Sequence, residues 1–194
     1  MAGMDRSELA DRLQAACRLQ GRFVLRSGQV AGVYFDKYLF EADPVLLRAV
    51  AEHCASLIPE GTEVLAGLEL GGVPLSTALS LMTGLPQVLV RKQAKAYGTA
   101  KLAEGPEISG RRTLVVEDVI TTGGQVVESA EALRRDEALV SSVLCVIDRR
   151  VSPAGGHTEP AAGGHPESAA RQDKLAAAGL SVVSLFRAAD LGGL

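Results

Sequence analysis

Between residues 63 and 148 the chain repeats one pattern, short apolar runs alternating with amphipathic stretches. The runs at 63–66, 87–91, 112–117 and 139–148 are rich in Val, Leu and Ile and read as buried strands. The stretches at 73–82 and 124–135 carry apolar residues at helical spacing, as in Val126, Val127, Ala130 and Leu133. This alternation predicts an α/β unit, with a central, mostly parallel sheet flanked by helices. Upstream, Leu9, Leu13, Ala16 and Cys17 fall on one face of a helix expected over 5–19, with Ser7 near its start and Gly21 as its stop. Asp43-Pro44 opens a second helix, with Leu47, Val50, Ala51, Cys54 and Leu57 as its apolar positions. Residues 23–40 between them read as paired strands around Ser27-Gly28. Residues 151–170 break the pattern with Pro153, Gly155, Gly156, Pro160 and Pro166 and are expected to form a flexible loop. A short helix at 171–178, stopped by Gly179, and a strand at 180–185 close the chain, and no internal repeat is evident.

Residues 114–125 concentrate the chemistry. The run Leu114-Val115-Val116 leads into Glu117 and Asp118, expected where a buried strand emerges at its carboxyl end, which is where open α/β sheets bind ligands. Val119 and Ile120 then lead to Thr121, Thr122, Gly123, Gly124 and Gln125, a small-residue turn at the start of a helix. Backbone N–H groups there can face an anion, and glycines let the main chain approach it. Ionised carboxylates only accept hydrogen bonds, so Glu117 and Asp118 suit the two hydroxyls of a ribose or the hydration shell of Mg²⁺, while the turn takes a phosphate. The combination suits a phosphorylated sugar.

Two further segments fit such a ligand. The turn Gly67-Leu68-Glu69-Leu70-Gly71-Gly72-Val73-Pro74 follows one strand and opens a helix, a second place where backbone can wrap a phosphate. The segment Arg91-Lys92-Gln93-Ala94-Lys95-Ala96-Tyr97-Gly98 is a basic loop, which could close over a leaving group that gains negative charge. Closure would also keep water away from a hydrolysable substrate.

Composition narrows the classes. The chain has 194 residues, enough for one well-buried α/β domain, and its net charge of −3 gives no overall reason to expect nucleic acid or an anionic membrane as partner. Cys17, Cys54 and Cys145 form no C-x-x-C pair and read as small core residues in a reducing compartment. His157 and His165 sit in Gly-Gly-His repeats without a rigid ligand spacing and read as solvated loop residues. Residues 1–6 lack the apolar region of a signal peptide and no run reaches transmembrane length, so a cytoplasmic protein is expected.

With these segments in view, residues 114–125 closely resemble the 5-phosphoribosyl 1-pyrophosphate (PRPP) motif of the type I phosphoribosyltransferases. Phe23-Val24-Leu25-Arg26-Ser27-Gly28 with Tyr34-Phe35-Asp36, the basic loop, and Val146-Ile147-Asp148-Arg149 extend the resemblance to the orotate-using branch, the orotate phosphoribosyltransferase family. The resemblance runs from about residue 9 to 149 and resumes weakly at 180–191. It implies the type I phosphoribosyltransferase fold over one domain, 1–194, in which residues 1–42 supply an N-terminal helix and a hood over the base. It implies Mg²⁺-dependent transfer of phosphoribosyl from PRPP to orotate, giving orotidine 5′-monophosphate and pyrophosphate in pyrimidine synthesis, by a homodimer with shared active sites.

Residue by residue, the resemblance assigns Tyr34, Phe35, Thr121 and Arg149 to orotate. Arg26, Leu70, Gly71, Arg91, Lys92, Lys95, Tyr97 and the run from Glu117 through Asp118, Val119, Ile120, Thr121, Thr122, Gly123 and Gly124 to Gln125 go to PRPP. Lys95, Glu117 and Asp118 are the expected catalytic residues, and Mg²⁺ is expected to be held through PRPP and water with no direct protein ligand. An arginine fork suits a carboxylated base and discriminates against an uncharged one. The chain departs from better-known members at Arg26 (for Lys), Tyr97 (for His) and Leu70-Gly71 (for Tyr-Lys), so phosphate binding is expected to lean on backbone N–H groups and Mg²⁺. Two alternatives remain open: a phosphoribosyltransferase for another base, which would not need Arg149, and a PRPP-sensing nucleic-acid-binding regulator, which would not need the closing basic loop.

Overall fold

The computed structural model describes residues 3–24, 28–93, 102–150 and 173–192. Helix α1 (Arg6–Cys17) starts at Asp5, whose carboxylate accepts the N–H groups of Ser7 and Glu8. It runs directly into β1 (Arg18–Val24), which pairs antiparallel with β2 (Val30–Phe35). Gly21 is therefore not the helix stop that its position suggests. It lies inside β1, where the register slips between Gln20 and Phe23, and a lone glycine in a strand commonly marks such a bulge. The helix ends at Cys17 because that carbonyl accepts the N–H of Asp36, joining helix to hairpin.

The paired strands also end sooner than expected. The Asp36 side chain accepts the N–H of Tyr38, and the Asp36 and Lys37 carbonyls accept those of Leu39 and Phe40. These local bonds start a short helix, α2 (Tyr38–Ala42), which buries Phe40 completely. Asp43 then caps α3 (Pro44–Ala55), as the Asp-Pro pair predicts, though Leu46 rather than Leu47 takes the buried position.

From there the alternation holds: β3 (Val64–Leu68), α4 (Gly72–Thr83), β4 (Gln87–Val90), a two-residue β5 (Ala103–Glu104), β6 (Thr113–Ile120), α5 (Gly124–Arg135), β7 (Ser142–Asp148), α6 (Lys174–Ala177) and β8 (Ser181–Arg187). The sheet order is β5-β4-β3-β6-β7-β8, parallel except for the β5 edge. Leu9, Leu13, Phe40, Val50, Leu75 and Leu79 pack one face with Leu65, Leu114 and Val116 of the sheet. Val126, Ala130, Leu133 and Leu175 pack the other with Val64, Val115 and Val143. All three cysteines are buried and free, and burial pushes the Cys54 thiol up to about 12.

The connections reverse direction between β3 and β6. The chain leaves β3 for β4 on one side and later returns to place β6 on the other, making a topological switch point, the crevice where open α/β sheets bind ligands. The glycine turn after β3 and the Thr-Thr-Gly-Gly turn after β6 are the two loops beside it.

Candidate functional site

Helices α4 and α5 start at these loops with glycine at the N-cap, Gly71 and Gly123, and neither has a side-chain cap. The first N–H groups of a helix have no partner within it, so both ends present donors and the positive end of a helix dipole. Gly123 has a φ of 75° and is packed so closely on Leu175 that a Cβ would collide with it. Thr121, Thr122 and Gln125 are exposed around it, and Gly124 is half-buried. Together Thr121 to Gly124 form a turn with little side-chain bulk after β6.

The first turn is equally constrained. A Cβ on Gly72 would strike the Val116 carbonyl, and one on Gly71 would strike Asp118 Oδ2 and Glu41 Oε1. Gly71 is thus required by close packing of the α4 start over β6. A lysine at this position would have no room in this arrangement. Leu70 beside it is exposed, and the Glu69-Leu70 peptide is cis.

The acids lie deeper than the sequence implies. Strand β6 continues through them to Ile120, so Glu117 and Asp118 are buried within the strand, 9% and 0% exposed. Asp118 Oδ1 accepts the Val119 N–H at 2.6 Å, and Oδ2 meets the ammonium of Lys37 at 2.5 Å. Glu41, on α2, is buried alongside them. Burial first, and then the hydrogen bond each makes with Asp118, pushes Glu41 and Glu117 up to about 9. Burial alone would raise Asp118 too, but hydrogen bonds from Glu117 and Glu41 and the Lys37 charge outweigh it and hold Asp118 down at about 2. Asp118 is thus the acid of the cluster whose surroundings favour its charged form, with the Lys37 ammonium against it. Lys37 and Glu41 were missed by sequence reasoning. The only local signal is a pair of charged residues interleaved with the aromatics Phe35, Tyr38 and Phe40.

At the end of β7 two consecutive arginines are put to different uses. Arg150 turns back to hold both oxygens of Asp148, at 2.9 and 2.8 Å, and also reaches Asp173 at 2.7 Å. Arg149 is exposed, and its guanidinium has no ion-pair partner among the described residues. Its backbone N–H donates to the Ile120 carbonyl at 2.8 Å, which sets it beside Thr121 at the mouth of the cradle.

The hairpin residues diverge. Tyr34 is exposed and tilted against Phe23, ring centroids 5.4 Å apart, while Phe35 packs on the core. Successive strand residues point to opposite faces, which explains the split. On the β4 side, Arg91 is half-buried with its Nε 3.5 Å from Glu104, and the Lys92 N–H donates to Glu69 at 3.1 Å, tying the strand end to the glycine turn. Arg26, Lys95, Tyr97 and the 151–170 loop with His157 and His165 lie outside the described residues. Among the described residues no group of three or more His, Cys, Asp or Glu is placed to hold a metal ion, and no helix is long and apolar enough to cross a membrane.

The chain is similar to known proteins in sequence and in fold. A family model for the phosphoribosyl transferase domain matches residues 41–154, from α2 to just beyond β7. The orotate phosphoribosyltransferase of Nocardioides sp. is 59% identical over 149 residues, covering 77% of this chain and 82% of that protein. Among solved structures, the orotate phosphoribosyltransferase of Mycobacterium tuberculosis in complex with Fe(III) dicitrate is 33% identical, with a TM-score of 0.76 over 96% of this chain and 98% of its own. The same enzyme in complex with PRPP gives a TM-score of 0.72 at 28% identity, over 96% of this chain and 98% of that one. With two glycine-started helices at the switch point, a buried acid pair in the strand between them and relatives of this closeness, the chain belongs to the orotate phosphoribosyltransferase family.

Proposed function

We propose that the protein transfers the 5-phosphoribosyl group of PRPP to N1 of orotate, releasing pyrophosphate and giving orotidine 5′-monophosphate for pyrimidine synthesis. The observation that carries this reading is the placement of two uncapped helix starts either side of one switch point, with an exposed arginine, Arg149, at the rim. PRPP carries two separate phosphate groups and needs two such cradles. The turn from Thr121 to Gln125 takes the 5′-phosphate through backbone N–H groups, and the turn at Leu70 and Gly71 takes the pyrophosphate. Glu117 faces the ribose hydroxyls, and Asp118, wholly enclosed, supports the turn from behind.

The reaction needs little covalent help from the protein. Orotate must be aligned with C1 of the ribose, and charge building on the departing pyrophosphate must be met. Arg149 holds the orotate carboxylate, with Thr121 beside it and Tyr34 on the hairpin above. Arg91, Lys92, Lys95 and Tyr97 are the groups we assign to the pyrophosphate side, with Lys95 as the rate-sensitive cation, and Arg26 completes the PRPP contacts. Mg²⁺ keeps several of its waters and binds readily through substrate phosphates, so we assign it to PRPP and water rather than to a direct protein ligand. Bound there, it would neutralise pyrophosphate charge. We read the whole chain as one phosphoribosyltransferase unit, acting as a homodimer with shared sites in the cytoplasm.

The test is to combine purified protein with Mg²⁺, PRPP and orotate and to follow orotate absorbance together with pyrophosphate release. Loss and release in equal amounts, both requiring PRPP, are expected. PRPP binding without orotate consumption would overturn the choice of base and direct a screen of other nucleobases.

A further inference from the structure

We propose that Lys37 is a positioning residue for the phosphoribosyl site, acting through Asp118. The inference rests on reading the β6 turn as the PRPP phosphate cradle. Lys37 comes from outside the strand-turn-helix units, at the turn between β2 and α2, and its Nζ lies 2.5 Å from Asp118 Oδ2. The carboxylate it meets is entirely enclosed, with 0% of its side chain exposed, whereas the lysine retains 32%. An ionised carboxylate in such a place is tolerated only with a partner, and Lys37 is the cation facing it.

The consequence passes to the turn through one bond. Asp118 Oδ1 takes the Val119 N–H, which fixes the last part of β6 before the chain enters Thr121 to Gly124. With Lys37 pulling on Oδ2 and Val119 donating to Oδ1, the carboxylate is held from both ends. Gly71 closes the space over it, since a Cβ there would occupy the same volume as Oδ2. Asp118 thus stands between the two phosphate turns, and Lys37 sets its charge and angle.

Lys37 is placed by its neighbours. Asp36 accepts the Tyr38 N–H, which shapes the turn, and the ammonium lies 5.3 Å from the centroid of the Tyr38 ring. The same strand end carries Tyr34 and Phe35. The ion pair is therefore a tie between the hairpin that carries the aromatic residues and the sheet that carries the phosphate turns. Removing it should loosen PRPP binding without removing any group that touches PRPP.

The experiment is calorimetric titration of PRPP with Mg²⁺ into wild type, K37M, K37R, D118N and the K37M/D118N double variant, with orotate kinetics on the same preparations. K37M is expected to weaken PRPP binding about tenfold and to raise KM for PRPP in step, while kcat at saturating PRPP falls by less than about threefold. K37R should recover most of the loss. K37M added to D118N should cost nothing further, because the lysine acts through the carboxylate that D118N has already neutralised. If K37M does not fold, K37Q keeps a donor toward Oδ2 without the charge and is expected to show the same loss. PRPP affinity within twofold of wild type in the charge-removing variant, or single losses that simply add in the double variant, would overturn the proposal. A wild type that binds PRPP but leaves orotate untouched would sink the choice of base alone, and Lys37 would still be judged by PRPP affinity.

Discussion

Helices α1, α3 and α6 start at aspartates, Asp5, Asp43 and Asp173, each of which accepts two N–H groups of its own first turn. Helices α4 and α5, which follow β3 and β6 at the switch point, start at glycine with no side-chain cap at all. One chain thus uses two solutions to the same problem of unpaired donors at a helix start. Where a helix serves only to pack, an aspartate satisfies the donors and adds stability. Where it flanks the crevice, no side chain takes the donors, and on the proposed function they are kept for a phosphate. The glycines have steric reasons as well, since Gly71 and Gly123 both sit where a Cβ would collide.

The comparison is broken most directly at Gly71. Gly71→Ala places a methyl group against Asp118 and Glu41 and forces the α4 start away from β6. Overpacking of this kind costs about 1–3 kcal/mol of stability, and a displacement near 1 Å in a site costs about a hundredfold in rate. The expected outcome is a kcat/KM for PRPP about a hundredfold lower together with a clear fall in Tm. If the variant bound PRPP normally, the glycine start of α4 would have nothing to do with the ligand.

The adjacent arginines make a second contrast, one exposed and proposed for the ligand, the other paired within the fold. Arg149→Ala should lower kcat/KM for orotate about a hundredfold by removing a charge-assisted pair. It should leave PRPP affinity and Tm almost unchanged, because the side chain is exposed and without an ion-pair partner among the described residues. Arg150→Ala should do the reverse and lower Tm, since it unpairs Asp148 and releases Asp173. Thermal melts and orotate kinetics on both variants read the contrast. Equal behaviour of the two would mean that the pair had been assigned wrongly.

What could be read in the sequence follows from how local each feature is. The strand, acids and turn at 114–125 are contiguous, so the strand, the glycine turn and the helix behind it were legible, as was the alternation that builds the parallel sheet. The depth of the acids was not. A charged pair normally ends an apolar run, and β6 continues through Asp118 because its carboxylate meets the Lys37 ammonium, distant in sequence, and the Val119 N–H, with Glu41 buried beside it. Tyr34, Phe35, Tyr38 and Phe40 share an aromatic density that reads as strand, which hid α2 and with it Lys37 and Glu41. Gly21 looked like a helix stop because a bulge and a C-cap ask for the same residue. Gly71 read as a lost cation, whereas the fold shows a contact too close for any side chain.

The smallest effect sharpens the comparison from the other side. Asp43 accepts the N–H groups of Val45 and Leu46 at 2.8 and 3.1 Å, with Pro44 next to it in the first turn of α3. Asp43→Ala leaves those donors to water and should cost about 1 kcal/mol, which for a chain of this size lowers Tm by about 2–4 °C. Kinetic constants for PRPP and orotate should stay at wild-type values, because the Asp43 carboxylate is taken up by the first turn of α3 itself. Thermal unfolding and steady-state kinetics on one preparation measure both. A drop in PRPP affinity from Asp43→Ala would mean that capping and binding are coupled through α2, which joins Asp43 to Lys37 in only a few residues, and that the two kinds of helix start are not independent.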